Sequence, residues 1–388
     1  MKMYDILTLN KISQNGLEKF DEKYNCSADI ENPDAVLVRS ASMHEMTMSE
    51  KTLAVARAGA GVNNIPVSDF SEKGIVVFNT PGANANAVKE LVICALFLSS
   101  RKIVNGIEWA QTLKGEDEVG KKVEKGKSAF VGPEIKGKKL GVIGLGAIGI
   151  LVANAAEKLG MKVYGYDPYL SVDAAWNLSR SIVHAPSVED IYKECDYITI
   201  HVPLLDSTRD FINAAAIAQM KDGVRILNFA RDALVNSADI IEALGTGKVA
   251  SYATDFPTED LLGVSGVIAI PHLGASTPES EENCAIMAVK QLRDFLENGN
   301  IKNSVNLPNV EAPRTHRTRV AIIHRNIPNV LSTILPAVSA GGINIDNMVN
   351  KSKNEYAYTL IDVDGDVTEE SLTELKKVDG IIRIRIIK

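Results

Sequence analysis

The stretch Gly141-Val142-Ile143-Gly144-Leu145-Gly146-Ala147-Ile148-Gly149 decides the fold. It holds a GxGxxG pattern at Gly144, Gly146 and Gly149, after the apolar run 139–143 and before a helical pattern over 148–159. Three glycines alone are a weak signal; strand, glycine turn and helix in that order make a dinucleotide fingerprint. Gly144 permits the tight turn, Gly146 lets a pyrophosphate approach the backbone, and Gly149 lets the helix pack close to the strand. The helix start then offers free N–H groups and a partial positive charge to phosphates. The next predicted strand, 162–166, runs into Asp167, and 167 − 149 = 18 residues separate it from the last glycine. A carboxylate there bonds the adenosine ribose hydroxyls and repels a 2′-phosphate, so NAD is the expected cofactor.

Working outward, strands are expected at 35–38, 53–58 and 75–78, with helical periodicity from 88 to 110. Further strands are expected at 197–201, 225–228 and 267–270. Strands alternating with helices predict α/β architecture with parallel sheets covered on both faces. A long helix over 279–297 can return the chain to the first domain. The expected organisation is two Rossmann-like domains, a discontinuous substrate-binding domain (1–98 and 281–305) and an NAD-binding domain (99–280). The Asn-, Pro- and Arg-rich stretch 306–317 reads as a linker. Residues 318–388 read strand, helix, strand, strand, helix, strand, a split βαβ domain of ferredoxin-like type. The lysine-rich stretch 115–139 reads as an exposed connector.

The 388 residues exceed what one core supports, which agrees with several domains. A net charge of −7 disfavours nucleic acid as a partner. No apolar run reaches the roughly 18–20 residues that span a bilayer, and the N-terminus lacks a signal-peptide pattern. Cys26, Cys94, Cys195 and Cys284 form no CxxC pair. They are expected as buried or half-buried thiols in a reducing, cytoplasmic compartment, with no metal site.

Three later segments carry chemistry. Arg231 ends Asn228-Phe229-Ala230-Arg231, just past an apolar strand, where ligands of open α/β sheets sit. Its guanidinium fork suits a carboxylate. His272, in Pro271-His272-Leu273-Gly274-Ala275-Ser276-Thr277, likewise follows a strand. Moving a hydride between alcohol and ketone requires one proton to move, and histidine titrates nearest neutrality. A carboxylate beside it would fix its tautomer, and Thr254-Asp255-Phe256-Pro257-Thr258-Glu259-Asp260 supplies candidates.

The blocks GLGAIG, HVPLLDST, NFARDALV and IPHLGAST make residues 1–305 resemble the D-isomer-specific 2-hydroxyacid dehydrogenases. The resemblance implies a catalytic trio at Arg231, Glu259 and His272. It implies cofactor contacts at Thr80, Gly144, Gly146, Ala147, Ile148, Gly149, Asp167, Val202, Pro203, Thr208, Phe229, Ala230, Arg231, Asp255, His272, Gly274 and Ala275. Arg39, Ser40, Arg57 and Asn84 match segments that bind a phosphorylated 2-hydroxy acid, with glycerate, glyoxylate, hydroxypyruvate or D-lactate as alternatives. Asp255 and Phe256 are adjacent where the family separates them by one residue. Glu259 keeps the family spacing from Phe256, and Asp260 is the other candidate acid. Lys89 stands where a small residue is usual. The C-terminal segment resembles an ACT domain, implying L-serine as effector at His324, Asn326 and Asn344, with Asn329 in place of a common glycine. The family also implies a homodimer or homotetramer. A non-catalytic NAD- or amino-acid-sensing module is the reading from a different class, and the trio argues against it.

Overall fold

The structure is a computed structural model that describes residues 3–315, 318–339, 342–368, 370, 372, 373 and 375–388. It divides into two compact units, Met1–Asn84 with Pro278–Lys388, and Ala85–Thr277.

The first unit opens with a parallel sheet of β1 (Tyr4–Leu9), β2 (Tyr24–Ser27), β3 (Ala35–Val38), β4 (Ala54–Arg57) and β5 (Val76–Phe78), in the order β2-β1-β3-β4-β5. Every residue of β3 and β5 is buried, as a sheet covered on both faces requires. The register pairs Leu9 with Val38 and Val38 with Arg57, so Asn10 and Arg39 leave the sheet at the carboxyl edge where Arg57 ends β4. The long helix Pro278–Asn298 packs on this sheet through Ala285, Ala288, Val289, Leu292, Phe295 and Leu296.

The second unit holds β6 (Lys139–Ile143), β7 (Lys162–Tyr166), β8 (Val183–His184), β9 (Tyr197–Ile200), β10 (Val224–Asn228), β11 (Val249–Thr254) and β12 (Val267–Ala269). All are parallel, in the order β12-β11-β10-β9-β6-β7-β8. Strand order reverses between β6 and β9, the switch point beside which doubly wound sheets bind ligands. The register aligns Ile143 with Tyr166 and Ile200, and Asn228 with Thr254 and Ile200. Gly144, Asp167, His201, Phe229 and Asp255 therefore all emerge at one edge.

The third sheet, β13 (Thr318–Arg325), β14 (Ile345–Lys353), β15 (Tyr356–Val363) and β16 (Ile381–Ile387), runs antiparallel in the order β14-β15-β13-β16. This is the split βαβ arrangement. Its first helix is Val330–Val338. The second expected helix falls partly on Glu369, Ser371 and Glu374, outside the described residues, and a 3-10 turn Leu375–Lys377 lies beside them.

The structure departs from the sequence reading in several places. The third sheet belongs to the first unit and is no unit of its own. The stretch read as a linker is packed: Leu307, Val310 and Ala312 lie in the core of the first unit, and Val310 bridges Ile301. Helical periodicity read as one element is two helices, Ala85–Ser100 and Ile103–Thr112, because Lys102 (φ −69°, ψ 52°) leaves helical geometry. The lysine-rich connector contains the helix Val119–Gly126 and the turn Lys127–Phe130. It is anchored by Trp109 packing against Phe130 with ring centres 5.2 Å apart, and a side chain at Gly126 would strike Trp109. Strands β1, β2, β8 and β11 go beyond the sequence expectation. Cys94 is exposed, unlike the other three free thiols. Among the described residues no helix is long and apolar enough to cross a membrane.

Candidate active site

The glycine turn meets the steric demands of a dinucleotide. Gly144 has φ +91°, and a Cβ there would lie 2.7 Å from the His201 carbonyl oxygen. A Cβ on Gly149 would overlap the Gly144 carbonyl. At Gly146 a Cβ would meet nothing within 4 Å, so one face of the turn is open to a phosphate. The helix Ala147–Lys158 starts there without a side-chain cap, which leaves its first N–H groups free. Gly146 and Ala147 are exposed and Ile148 is half-buried. Asp167 accepts the Leu145 N–H (2.8 Å) and the Tyr169 N–H (2.8 Å), which fixes a carboxylate beside the turn. These residues fit an adenine dinucleotide.

The neighbouring expectations divide. Val202 borders Gly144, and Thr208 closes the following loop by donating to Pro203 O (2.7 Å) while accepting the Leu205 N–H (2.8 Å). The Phe229 side chain is buried in the core, so only its backbone reaches the strand end. In the first unit Thr80 is fully buried. Sequence reasoning missed His201. Its Nε2 meets Thr199 Oγ1 (2.9 Å), its Nδ1 is buried without a partner among the described residues, and burial pulls its pKa down to about 4. The imidazole is therefore neutral at pH 7.

At the end of β10 the fully buried Asn228 organises the turn that carries Arg231. Its Nδ2 donates to Arg231 O (2.7 Å) and to Tyr252 Oη (3.3 Å), and its Oδ1 accepts the Ala230 N–H (3.2 Å). Arg231 is exposed, with one Nη1 hydrogen bond to Ala230 O (2.6 Å). Its guanidinium carbon lies 5.9 Å from the Phe256 ring centre, and the His272 ring lies 4.4 Å from the same centre. Phe256 thus brings the arginine and the imidazole together at one edge of one sheet.

The acids separate. Glu259 and Asp260 are exposed on the short turn Glu259–Leu261, and among the described residues His272 makes no hydrogen bond to either. Asp255 is buried. Its Oδ2 accepts the Gly274 N–H (3.3 Å), and among the described residues its Oδ1 has no partner. Burial raises its pKa, and the charges of His272 and Arg231 act against that rise. Asp255 is therefore a carboxylate close enough to His272 and Arg231 to interact with their charges. The buried Gly274 packs beside Val88, and Ala275 is half-buried in the same turn.

In the first unit Arg39 Nη2 pairs with Glu281 (2.6 Å), a partner sequence reasoning did not find. Ser40 and Ala41 N–H both donate to Asn10 Oδ1 (3.1 and 2.6 Å), with Asn10 at φ +69°. Arg57 is half-buried and donates to Arg39 O (3.0 Å) and Gly61 O, so it buttresses the Arg39 backbone. Asn84 is half-buried, and its amide has no hydrogen bond among the described residues. The three residues implied for an effector do not converge. His324 is buried, with Nδ1 on Arg325 O (2.8 Å) and Nε2 on Thr359 Oγ1 (2.9 Å). Asn326 follows the end of β13, whereas Asn344 precedes β14, whose Ile345 pairs with Val363 and so lies level with Thr318. Asn329, at φ +68°, adopts the left-handed conformation that glycine commonly fills.

A dehydrogenase site for 2-hydroxy acids is the class that this fold and these side chains define. Residues 96–274 match the family model described as D-isomer specific 2-hydroxyacid dehydrogenase, NAD binding domain. The D-3-phosphoglycerate dehydrogenase of Haemophilus influenzae is 32% identical over 352 residues, 87% of this chain and 82% of that one. The human D-3-phosphoglycerate dehydrogenase is 34% identical over 310 residues, and the match covers 76% of this chain and 56% of that one. The NAD+-bound 3-phosphoglycerate dehydrogenase of Entamoeba histolytica superposes with a TM-score of 0.59 at 26% identity, covering 78% of this chain and 99% of that one. The D-mandelate dehydrogenase of Rhodotorula graminis shares the fold, with a TM-score of 0.67 at 21% identity, covering 81% of this chain and 100% of that one. The chain belongs to the D-isomer-specific 2-hydroxyacid dehydrogenases, and its cofactor is NAD.

Proposed function

We propose that this enzyme oxidises D-3-phosphoglycerate to 3-phosphohydroxypyruvate, the entry to L-serine synthesis. The observation that carries the reading is the pairing of Arg231 and His272 on Phe256, at the sheet edge that also bears the glycine turn and Asp167. NAD, when bound, supplies the hydride acceptor. Arg231 binds the substrate carboxylate and polarises the adjacent carbon–oxygen bond. His272 takes the hydroxyl proton at a ring nitrogen as the hydride leaves C2. Glu259, on moving toward His272, is the acid that supports the imidazole, and Asp255, whose carboxylate interacts with the His272 charge, is a second acid beside it. Arg39, Ser40 and Asn84 take the phosphate, and both charged ends of the substrate then fix its orientation.

The alternative substrates lack the phosphate. An NADH absorbance assay with D-3-phosphoglycerate, D-glycerate and D-lactate separates them. The phosphorylated acid is the best substrate, and Arg39→Ala lowers its kcat/KM far more than that of D-glycerate. Equal losses on both acids would remove the phosphate assignment, and absence of turnover on every acid would favour a sensing module.

A cytoplasmic homodimer or homotetramer completes the reading. The helices Ile103–Thr112 and Val119–Gly126 bury no residue within the chain, yet Ile103, Val104, Ile107 and Val119 are exposed apolar side chains. The C-terminal sheet is read as an ACT domain with L-serine as effector. His324 and Asn344 lie at opposite ends of that sheet, so a site using both needs two chains. Activity unchanged by added L-serine would remove the effector.

A further inference from the structure

The last turn of an α-helix leaves four carbonyl groups without helical partners. In the long helix Pro278–Asn298 the Phe295 carbonyl keeps a backbone partner, the Gly299 N–H (2.9 Å), and side chains from outside the helix reach all four of the last carbonyls. Phe295 O accepts Arg385 Nη1 (3.2 Å), and Leu296 O accepts Arg385 Nη2 (2.8 Å) and the Tyr4 hydroxyl (2.9 Å). Glu297 O accepts Arg314 Nη1 (3.5 Å), Asn298 O accepts Arg319 Nη1 (2.9 Å), and Gly299 O accepts the Tyr358 hydroxyl (2.6 Å). Three of these residues, Arg319, Tyr358 and Arg385, lie on strands of the C-terminal sheet, and Arg314 leads into it. The guanidinium charges also sit where the helix dipole is negative.

The clamp is mutual. Arg319 is fully buried and binds Asp362 through Nε (2.6 Å) and Nη2 (2.8 Å), with its remaining donors on Asn298, Ala312 and Pro313 carbonyls. Arg385 lies over the Phe295 ring at 4.7 Å. Between them Ala321, Ile323, Tyr358, Leu360 and Ile387 join the apolar core of the helix. Peeling the sheet away would strand helix carbonyls and charged donors together, which costs more than losing the bonds alone. The first turn of the same helix carries Glu281, the partner of Arg39. At 1.5 Å per residue the helix spans roughly 25 Å between Glu281 and its clamped end.

We propose that the C-terminal sheet is the C-cap of the long helix and, through that helix and Glu281, a positioning element for Arg39 and hence for a phosphorylated substrate. The inference rests on the reading that Arg39 takes the substrate phosphate. Arg385, Arg319 and Tyr358 touch no reacting atom; they act by holding the strut to which Glu281 belongs.

The test uses the full-length enzyme with Arg385→Met and its conservative counterpart Arg385→Lys. Arg385→Met raises KM for D-3-phosphoglycerate about fivefold or more, with kcat, NAD affinity and KM for D-glycerate changed less than about twofold. Arg385→Lys restores most of the affinity, and Glu281→Gln reproduces the KM effect from the other end of the helix. KM values that move equally for both acids, or not at all, overturn the positioning role. Hydrogen exchange on the unmodified chain tests the clamp without any variant. Amides of β13 and β16 and of the last two turns of the long helix open with one common free energy. A sheet that opens well before the helix end overturns the clamp. If the unmodified enzyme does not turn over D-3-phosphoglycerate, the functional reading fails while the exchange result still judges the clamp.

Discussion

Two arginine environments divide the labour of this molecule. Under the C-terminal sheet Arg319 is fully buried, and each of its nitrogens has an acceptor. At the edge of the dinucleotide-binding sheet Arg231 is exposed, and its one side-chain hydrogen bond among the described residues goes to the carbonyl of the preceding residue. A buried, fully satisfied guanidinium has no capacity left for a ligand and serves stability. An exposed one with open donors, held in place through its backbone by Asn228, serves a substrate. The same side chain is read in opposite ways because desolvation and hydrogen-bond saturation differ.

The largest effect predicted from this contrast is on stability. Arg319→Met leaves Asp362 buried without its cation and lowers the unfolding free energy by about 3–5 kcal/mol in urea denaturation. Arg231→Ala leaves the unfolding free energy within about 0.5 kcal/mol. Equal destabilisation by both substitutions would erase the contrast. The Asp362 pKa is lowered: burial alone would raise it, but the bonds and charge of Arg319 prevail. Its contribution is present above the unfolded carboxyl pKa near 4 and lost as pH falls through the lower folded value.

A second effect comes from His201. Its folded pKa, about 4, lies below the unfolded value of 6.5, so the unfolded chain gains a proton first as pH falls. The stability contribution is complete above pH 6.5 and is lost down to pH 4, a change on the order of 3 kcal/mol. In His201→Gln the slope of unfolding free energy against pH over that window flattens; an unchanged slope would assign the acid sensitivity elsewhere.

Third, Arg231→Lys keeps the charge and loses the fork. Turnover falls about 100-fold without a shift in the denaturation midpoint. Smaller still is the separation of the acids. Glu259→Gln lowers kcat more than Asp255→Asn, which stays within about tenfold. The reverse order would show that Glu259 does not move to His272 when substrate binds. Cys94→Ser, on an exposed helix surface, changes unfolding free energy by less than about 0.5 kcal/mol.

What the sequence disclosed follows from locality. The glycine turn, Asp167, Arg231 and His272 are each encoded by a strand and the few residues after it, and the structure sets them at one sheet edge. Glu281 escaped because its partner Arg39 lies 242 residues away. Asn10 and Asn228 escaped because they act on backbone groups, which leave no compositional trace. The C-terminal docking ran against the usual pattern. In Ile381-Ile382-Arg383-Ile384-Arg385-Ile386-Ile387 the alternation reads as one apolar and one solvated face. Ile384 and Ile386 do pack beneath the helix Val330–Val338, but Arg385 turns into the long helix and Arg383 reaches Thr52 O (2.6 Å). Arginine ordinarily turns to water, and here backbone carbonyls stand in its place.

The most direct test of the central assignment is NADH formation from D-3-phosphoglycerate by His272→Ala beside the unmodified enzyme, with NAD affinity measured on both. The account predicts a turnover loss of about 10²- to 10⁴-fold with NAD binding retained. Full turnover by the alanine variant would contradict it.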